Sequence, residues 1–308
     1  MSNPRTLPKQ VLNFIRRERL WEKGDSVLLS VSGGLDSMVM LDILARHQGA
    51  HKGKLEVITF DHGLRAESAE EVQFVAQKSQ GYGLSCRVVF LDMKKIANFQ
   101  ERARQSRQEY WKEYPEHLIA TAHHGTDQAE TMLFRFLRGT GLTGLRGILP
   151  KQSRKVHPLL SFFREDLEAY AQLHHLEWRN DPSNQESWRG QVRALVPVFE
   201  ELRQNSMQSI ARSARSLTRD EDYLQTLTKE VFEALNQNGR LKYSDVTKEH
   251  PSIQLRILRY WAETEGVVSS ATTLEAFLCW RPSSGKGIRF QGGMELSYED
   301  GWLFYQKG

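Results

Sequence analysis

The sequence predicts an α/β fold, a doubly wound parallel sheet, followed by a second, smaller, mainly helical domain that ends in β-hairpins. Three observations carry this. Short apolar, β-branched runs alternate with helical patterns through the first half of the chain. Beyond Arg193 the alternation stops and a long amphipathic pattern takes over. Near the C-terminus, alternating segments are separated by glycines, as in small hairpins. A chain of 308 residues also exceeds the usual size of one hydrophobic core, so two packed units are expected.

In order along the chain, residues 27–31, 55–60, 86–91 and 118–122 read as buried strands. Residues 38–47, 67–80, 99–113 and 127–138 supply the crossover helices, which puts helices on both faces of the sheet and ligands at the carboxyl ends of its strands. After glycines at 139, 141, 144 and 147, a last unit (156–160, a helix over 164–175, then 176–178) is expected to complete the sheet. Residues 207–235 read as one long helix with Leu217, Leu224, Leu227 and Leu235 facing inward. The expected domains are 1–205 and 206–308, joined by a linker helix over about 206–238. Helices near 254–263 and 272–280 and strands at 287–290, 295–298 and 302–305 follow.

With 39% hydrophobic and 26% charged residues, the composition excludes collagen-like, disordered and disulfide-scaffold classes. The apolar runs, such as Val27-Leu28-Leu29, fall far short of the roughly 20 residues of a membrane helix. No signal peptide is visible in the first nine residues, so a cytoplasmic address and no membrane partner are expected. Cys86 and Cys279 form no Cys-x-x-Cys pair and are expected to be buried, reduced thiols. The net charge is +4, and its distribution says more: between Thr131 and Arg164 stand seven cations (Arg135, Arg138, Arg146, Lys151, Arg154, Lys155 and Arg164) and no acid. That stretch is expected to face phosphates, because clustered Lys and Arg are the electrostatic footprint of nucleic-acid binding.

The segment richest in chemistry is Ser32-Gly33-Gly34-Leu35-Asp36-Ser37, between a buried strand and a helix. Five such fixed positions recur by chance roughly once in a million windows. Two glycines let backbone N–H groups approach an anion, and the helix start adds its positive dipole end. No lysine follows as in kinase-type phosphate loops. An aspartate stands there instead, and beside phosphates a carboxylate needs a divalent cation, so Asp36 reads as a Mg²⁺ ligand. As plain structure, Asp36 and Ser37 could also be ordinary helix caps. Farther on, the strand ending at Ala122 delivers His123, His124 and Asp127 to the same rim, and Asp127 and Glu130 are neighbours on one helix face. Two carboxylates there can grip the amino group of a cationic small molecule. His-x-x-x-His zinc spacing is absent, and an acidic helix start favoured by the dipole is the structural alternative.

Ser-Gly-Gly-x-Asp-Ser resembles the pyrophosphate loop (PP-loop) of the N-type ATP pyrophosphatases, which have a Rossmann-like fold and cleave ATP between the α and β phosphates to adenylate an acceptor. Within that group, Asp61-His62-Gly63-Leu64-Arg65, the run from Ala120 through His123-His124-Gly125-Thr126-Asp127-Gln128-Ala129-Glu130-Thr131, and Arg138-Gly139-Thr140-Gly141-Leu142-Thr143-Gly144-Leu145 resemble the tRNA(Ile)-lysidine synthetases. Ala103-Arg104-Gln105-Ser106-Arg107 and Asp181-Pro182-Ser183-Asn184 followed by Arg189 and Arg193 are similar to further segments of that family. The resemblance covers nearly the whole chain. It departs from the family at Gln100, Gln108, Thr126, His157 and Gly190, where Glu, Tyr, Asp, Arg and Asn are usual.

The resemblance implies an ATP- and Mg²⁺-dependent enzyme that joins L-lysine to C2 of the wobble cytidine of the isoleucine tRNA with anticodon CAU; it leaves room for a homodimer. Ser32, Gly33, Gly34, Leu35 and Ser37 would hold pyrophosphate and Asp36 the metal, with His62 and His123 at the nucleotide. Asp127 and Glu130 would orient lysine. Arg104 and Arg189 would contact the adenylate or substrate. Two alternatives stay open. A tRNA thiolase would share the adenylation, though Cys86 and Cys279 do not supply its usual cysteine set. A non-catalytic nucleotide-binding RNA protein would keep the basic surface without Asp36, Asp127 and Glu130.

Overall fold

The computed structural model describes residues 3–61, 63, 67–91, 99–179, 188–282 and 287–307, and their side chains except at 67, 99–101, 104, 188 and 189. The chain divides into two compact units, Met1–Leu217 and Thr218–Gly308.

The first unit runs α1 (Leu7–Arg17), β1 (Ser26–Ser30), α2 (Leu35–Arg46), α3 (Gln48–His51), β2 (Lys54–Asp61), α4 (Glu67–Gly81), β3 (Cys86–Phe90), α5 (Phe99–Trp111), β4 (His117–Ala120), α6 (Gly125–Leu137), α7 (Leu142–Leu145), β5 (Lys151–Gln152), β6 (Lys155–Val156), α8 (Arg164–Leu173), α9 (Trp188–Ala194) and α10 (Val196–Leu202). α11 (Ser206–Leu235) crosses the division. Strands pair in the order β3-β2-β1-β4-β6-β5, all parallel except β5 against β6. Val27, Leu28 and Leu29 of β1 are fully buried, as a central strand covered on both faces requires. Val27 and Leu29 pack with Val11, Ile15, Met40, Leu44 and Tyr170 from α1, α2 and α8. Leu28 points the other way, with Ile58, Val89, Ile119 and Trp111 at the end of α5. This is the doubly wound α/β sheet the alternation predicts.

The structure differs from expectation at several elements. Only Lys155–Val156 of the last unit is a strand, because Pro158 lacks an N–H to continue the ladder, and Leu159, Leu160 and Phe162 are buried on turns instead. Residues 176–178 join no strand; Leu176 and Trp178 pack on the core. α1 was not anticipated, although its Leu7, Val11, Leu12, Phe14 and Ile15 are all buried. Cys279 is exposed and Cys86 half-buried, not buried as expected. Along α11, Leu217, Leu224, Leu227 and Leu235 are half-buried; Ser206, Met207, Ala211, Ala214, Glu221, Thr228 and Phe232 are the buried positions.

In the second unit, β7 (Asn236–Gln237), β8 (Arg240–Lys242), β9 (Ile288–Arg289), β10 (Met294–Glu299) and β11 (Trp302–Lys307) form an antiparallel sheet in the order β7-β8-β11-β10-β9. α12 (Tyr243–Val246), α13 (Pro251–Thr264) and α14 (Ala271–Cys279) complete it, and Ile257, Trp261, Phe277, Leu296 and Leu303 build its core. Buried Glu221 receives both ends of the Arg256 guanidinium at 3.0 and 2.8 Å. No helix among the described residues is long and apolar enough to cross a membrane.

Candidate active site

The strand order reverses beside β1: β2 and β3 lie to one side, β4 and β6 to the other. In open α/β sheets such a reversal leaves a crevice at the carboxyl ends of the two strands that flank it. The connections leaving β1 and β4 enter α2 and α6 there, so residues some 90 positions apart meet.

The turn after β1 holds itself in shape. Ser37 Oγ donates to Gly34 O at 2.8 Å and accepts from Ser32 N–H at 3.2 Å, while Ser32 Oγ lies 3.3 Å from Ser37 Oγ. Gly33 adopts φ +83°, which side chains rarely tolerate, and its carbonyl accepts from Arg179 N–H at 2.9 Å. Gly34 caps α2 without any side-chain hydrogen bond, so the first N–H groups of the helix keep the orientation an anion uses.

The turn after β4 brings imidazoles and carboxylates. His124 is the N-cap of α6: its Nδ1 accepts from Thr126 N–H at 3.2 Å, and Asp127 Oδ2 accepts from His124 N–H at 3.0 Å. A Cβ on Gly125 would lie 2.8 Å from the Phe163 ring, so close packing demands glycine here. With Nδ1 accepting, the proton of the neutral His124 ring sits on Nε2, which lies 3.5 Å from Asp127 Oδ2 and 3.7 Å from Asp36 Oδ2. Burial alone would push the His124 pKa down; the carboxylates of Asp127 and Asp36, with Glu130 beyond, outweigh it and hold the value above the ordinary one. Asp36 Oδ2 is also 3.4 Å from Arg164 Nη1, whereas its Oδ1 is buried without a hydrogen-bond partner. Glu130 is 1% exposed, and Arg193 grips it at two points, 2.8 and 3.0 Å. His123 Nδ1 lies 2.7 Å from Thr121 Oγ1, and its ring meets that of His157 edge-on at 5.1 Å. Burial pushes the His157 pKa down, and its Nδ1–H donates to Leu149 O at 2.7 Å.

Residues 5–198 match the PP-loop domain family. Over 97% of its length the chain is 33% identical to the tRNA(Ile)-lysidine synthase of Thermosipho africanus and spans 72% of that protein. The chain belongs to the tRNA(Ile)-lysidine synthase family. It is also 30% identical to the synthase of Caldanaerobacter subterraneus, of which it spans 64%, and 27% identical to that of Chlorobaculum tepidum, of which it spans 96%. Among solved structures, the U34-tRNA thiolase NcsA of Methanococcus maripaludis shares the fold at a TM-score of 0.57 and 19% identity, over 68% of this chain and 78% of that one.

In this member of the lysidine synthase family, the rim gathers Ser32, Gly33, Gly34, Leu35, Asp36, Ser37, His123, Asp127 and Glu130 at the ends of two adjacent strands. The side chains of Arg104 and Arg189, on α5 and α9, lie outside the described residues, as do His62 and the segment 181–184. Three rim residues were given no separate role from sequence: His124, Arg164 and Arg193. The His-x-x-Asp spacing of a reciprocal cap was the available signal for His124.

The basic stretch is not one phosphate-facing surface. Arg135 donates to Gly144 O and Gly147 O at 2.8 and 2.9 Å, and Arg154 to the carbonyls of Trp111 and Tyr114. These two guanidiniums hold backbone. Arg138, Lys151 and Arg164 are the exposed cations of the stretch.

Proposed function

We propose that this chain joins L-lysine to C2 of the wobble cytidine of the tRNA(Ile) bearing the anticodon CAU, using ATP and passing through an adenylated tRNA. The observation that carries the reading is the meeting of two loops, with Asp36 of an anion-binding turn within 3.7 Å of His124 on the acidic turn after β4. The relatives named tRNA(Ile)-lysidine synthase support the substrate assignment.

The cytosine C2 oxygen attacks the α-phosphorus of ATP, the bond to the β-phosphate breaks and pyrophosphate departs with the electron pair. The lysine side-chain amine then attacks C2, the C2–O bond breaks, AMP leaves and the amine loses a proton. Ser32, Gly33, Gly34, Leu35 and Ser37 hold the leaving pyrophosphate with hydroxyl and N–H groups preorganised before substrate arrives. Asp36 holds Mg²⁺, and its buried, unpartnered Oδ1 suits an ion that takes few protein ligands. The metal supplies charge neutralisation at the phosphates. Asp127 with Glu130 orients the lysine amine, Glu130 being held in place by Arg193. His62 and His123 contribute to nucleotide binding, and Arg104 and Arg189 to binding of the adenylate or substrate; residues 206–308 and the exposed cations meet tRNA.

The test supplies labelled lysine, ATP, Mg²⁺ and purified tRNAs. Label entering only the isoleucine tRNA with anticodon CAU, and only with ATP, is expected. No lysine transfer, with sulfur incorporated from a sulfide donor instead, would contradict the reading.

A further inference from the structure

The turn after β1 supplies hydroxyl and N–H groups but no positive side chain, and Asp36 adds a negative one. The outer phosphates of ATP with a carboxylate beside them carry more charge than a single Mg²⁺ offsets. Two guanidiniums of the rim are committed to carboxylates, Arg164 to Asp36 and Glu168 and Arg193 to Glu130. Arg179 is exposed and pairs with no carboxylate among the described residues. Its backbone is docked on the turn, the N–H donating to Gly33 O at 2.9 Å. Leu176 and Trp178 pack on the core, which leaves Glu177 and Arg179 exposed between and beyond them. The Arg179 guanidinium lies 4.4 Å from the centroid of the Phe74 ring on α4. Lys78 also approaches that ring, at 5.5 Å, but is paired with Glu177 at 3.2 Å. Phe74 in turn walls the phosphate turn, since a Cβ on Gly33 would lie 3.8 Å from its ring. These contacts set the Arg179 cation within about 10 Å of the turn, no more than a Debye length at 0.1 M salt.

We propose that Arg179 binds the outer phosphates of ATP, its guanidinium turning from the Phe74 ring onto the leaving pyrophosphate. The inference rests on the proposed ATP-driven lysine transfer and deepens it. The Gly33 contact anchors the backbone, so the long side chain moves while its stem stays beside the turn. An exposed cation–π contact is weaker than a charge-assisted bond to phosphate, and phosphate therefore takes the guanidinium when ATP is bound. As the bond between the α and β phosphates breaks, its electron pair passes to the pyrophosphate, and a planar guanidinium fork there stabilises the growing charge. A cation from a distant segment thus does what a lysine within the turn would do in a kinase-type phosphate loop.

The experiment titrates the full chain with magnesium pyrophosphate and with AMP by calorimetry, and measures KM for ATP and for lysine during lysine transfer, in wild type, Arg179→Gln and Arg179→Lys. Loss of one charge-assisted contact weakens binding about ten-fold. Arg179→Gln is expected to show that loss for pyrophosphate and in the KM for ATP. AMP binding and the KM for lysine are expected to hold, because neither ligand carries the outer phosphates. Arg179→Lys is expected to recover part of the pyrophosphate affinity, and both variants to keep the wild-type thermal midpoint, since the Gly33 contact uses the backbone. Added salt is expected to weaken pyrophosphate binding more in wild type than in Arg179→Gln. Equal pyrophosphate affinity in Arg179→Gln and wild type would overturn the inference while leaving the proposed function intact. Parallel losses for pyrophosphate and AMP with a lowered thermal midpoint would overturn it too and make Arg179 part of the scaffold. A wild type that binds pyrophosphate through Arg179 yet transfers no lysine to tRNA would instead overturn the proposed function.

Discussion

Helix α2 carries an aspartate near each end, and the two live under opposite conditions. Asp42, 1% exposed, accepts from Tyr170 Oη–H at 2.7 Å, from the Tyr82 hydroxyl and from Arg46 Nε–H at 2.7 Å. Burial, together with the Asp42 carboxylate, pushes the Tyr82 pKa up to about 12 and that of Tyr170 higher still, so both phenols stay protonated as donors. Asp36, in the first turn, has an Oδ1 without a partner and an Oδ2 with only long contacts to Arg164 and His124. An acid whose oxygens are all answered within the protein ties helices together. An acid left short of partners at an uncapped helix start is where a ligand completes the structure.

The largest expected effect lies at the front end. Asp36→Asn should cut pyrophosphate release at least about 10³-fold while leaving the thermal midpoint close to wild type, because the native carboxylate holds few partners to lose. A comparable loss of fold stability would erase the distinction between the two acids. Next comes Asp42→Ala, expected to cost about 3 kcal/mol in denaturant unfolding by stranding the hydroxyls of buried Tyr170 and half-buried Tyr82, with the folded fraction still releasing pyrophosphate. Wild-type stability in this variant would show that the cluster is idle.

Smaller effects sharpen the contrast. His51 closes the back end of α2: its Nε2–H donates to Leu44 O at 2.9 Å and its Nδ1 accepts from Gly53 N–H at 3.1 Å. Burial lowers its pKa below the ordinary imidazole value of 6.5. The neutral ring's contribution is therefore complete above pH 6.5 and is lost as the pH falls through the lowered folded value. This lowers the thermal midpoint by roughly a few degrees between neutral and mildly acid pH, a drop that His124, shifted the other way, partly offsets. His51→Gln should flatten part of that drop, with His157, shifted the same way, keeping the rest. An identical pH profile in His51→Gln would assign the drop elsewhere. Smallest is Arg164→Gln: its pairs with Glu168 and Asp36 are half exposed, so unfolding free energy should change by less than about 0.5 kcal/mol. Its mark is expected as a few-fold higher KM for ATP in steady-state kinetics, and a large stability loss would place Arg164 in the scaffold.

The inner strands were legible because they are short, apolar and β-branched, a pattern that burial under helices explains; the edge strand β3, expected to be buried, leaves Val88 and Phe90 exposed. β7 and β8 were not anticipated, although their turn, Asn238-Gly239, has φ +53° and +78°, the left-handed pair an Asn-Gly hairpin uses. Each of those strands is too short to show alternation. At the site, Ser32–Ser37 and Asp127 announce themselves by residue type at a strand end. The pairing of Glu130 with Arg193 does not, because it joins residues 63 apart whose meeting depends on how α9 packs on α6. Nor can composition tell Arg135 and Arg154, engaged with carbonyls inside the fold, from Arg138, which faces water.

The most direct measurement follows γ-labelled ATP through turnover with the purified chain, Mg²⁺, lysine and the CAU tRNA. A turn that grips the two outer phosphates of ATP predicts label released as pyrophosphate. Label appearing as inorganic phosphate at first release would place the cleavage between the β and γ phosphates and contradict the account.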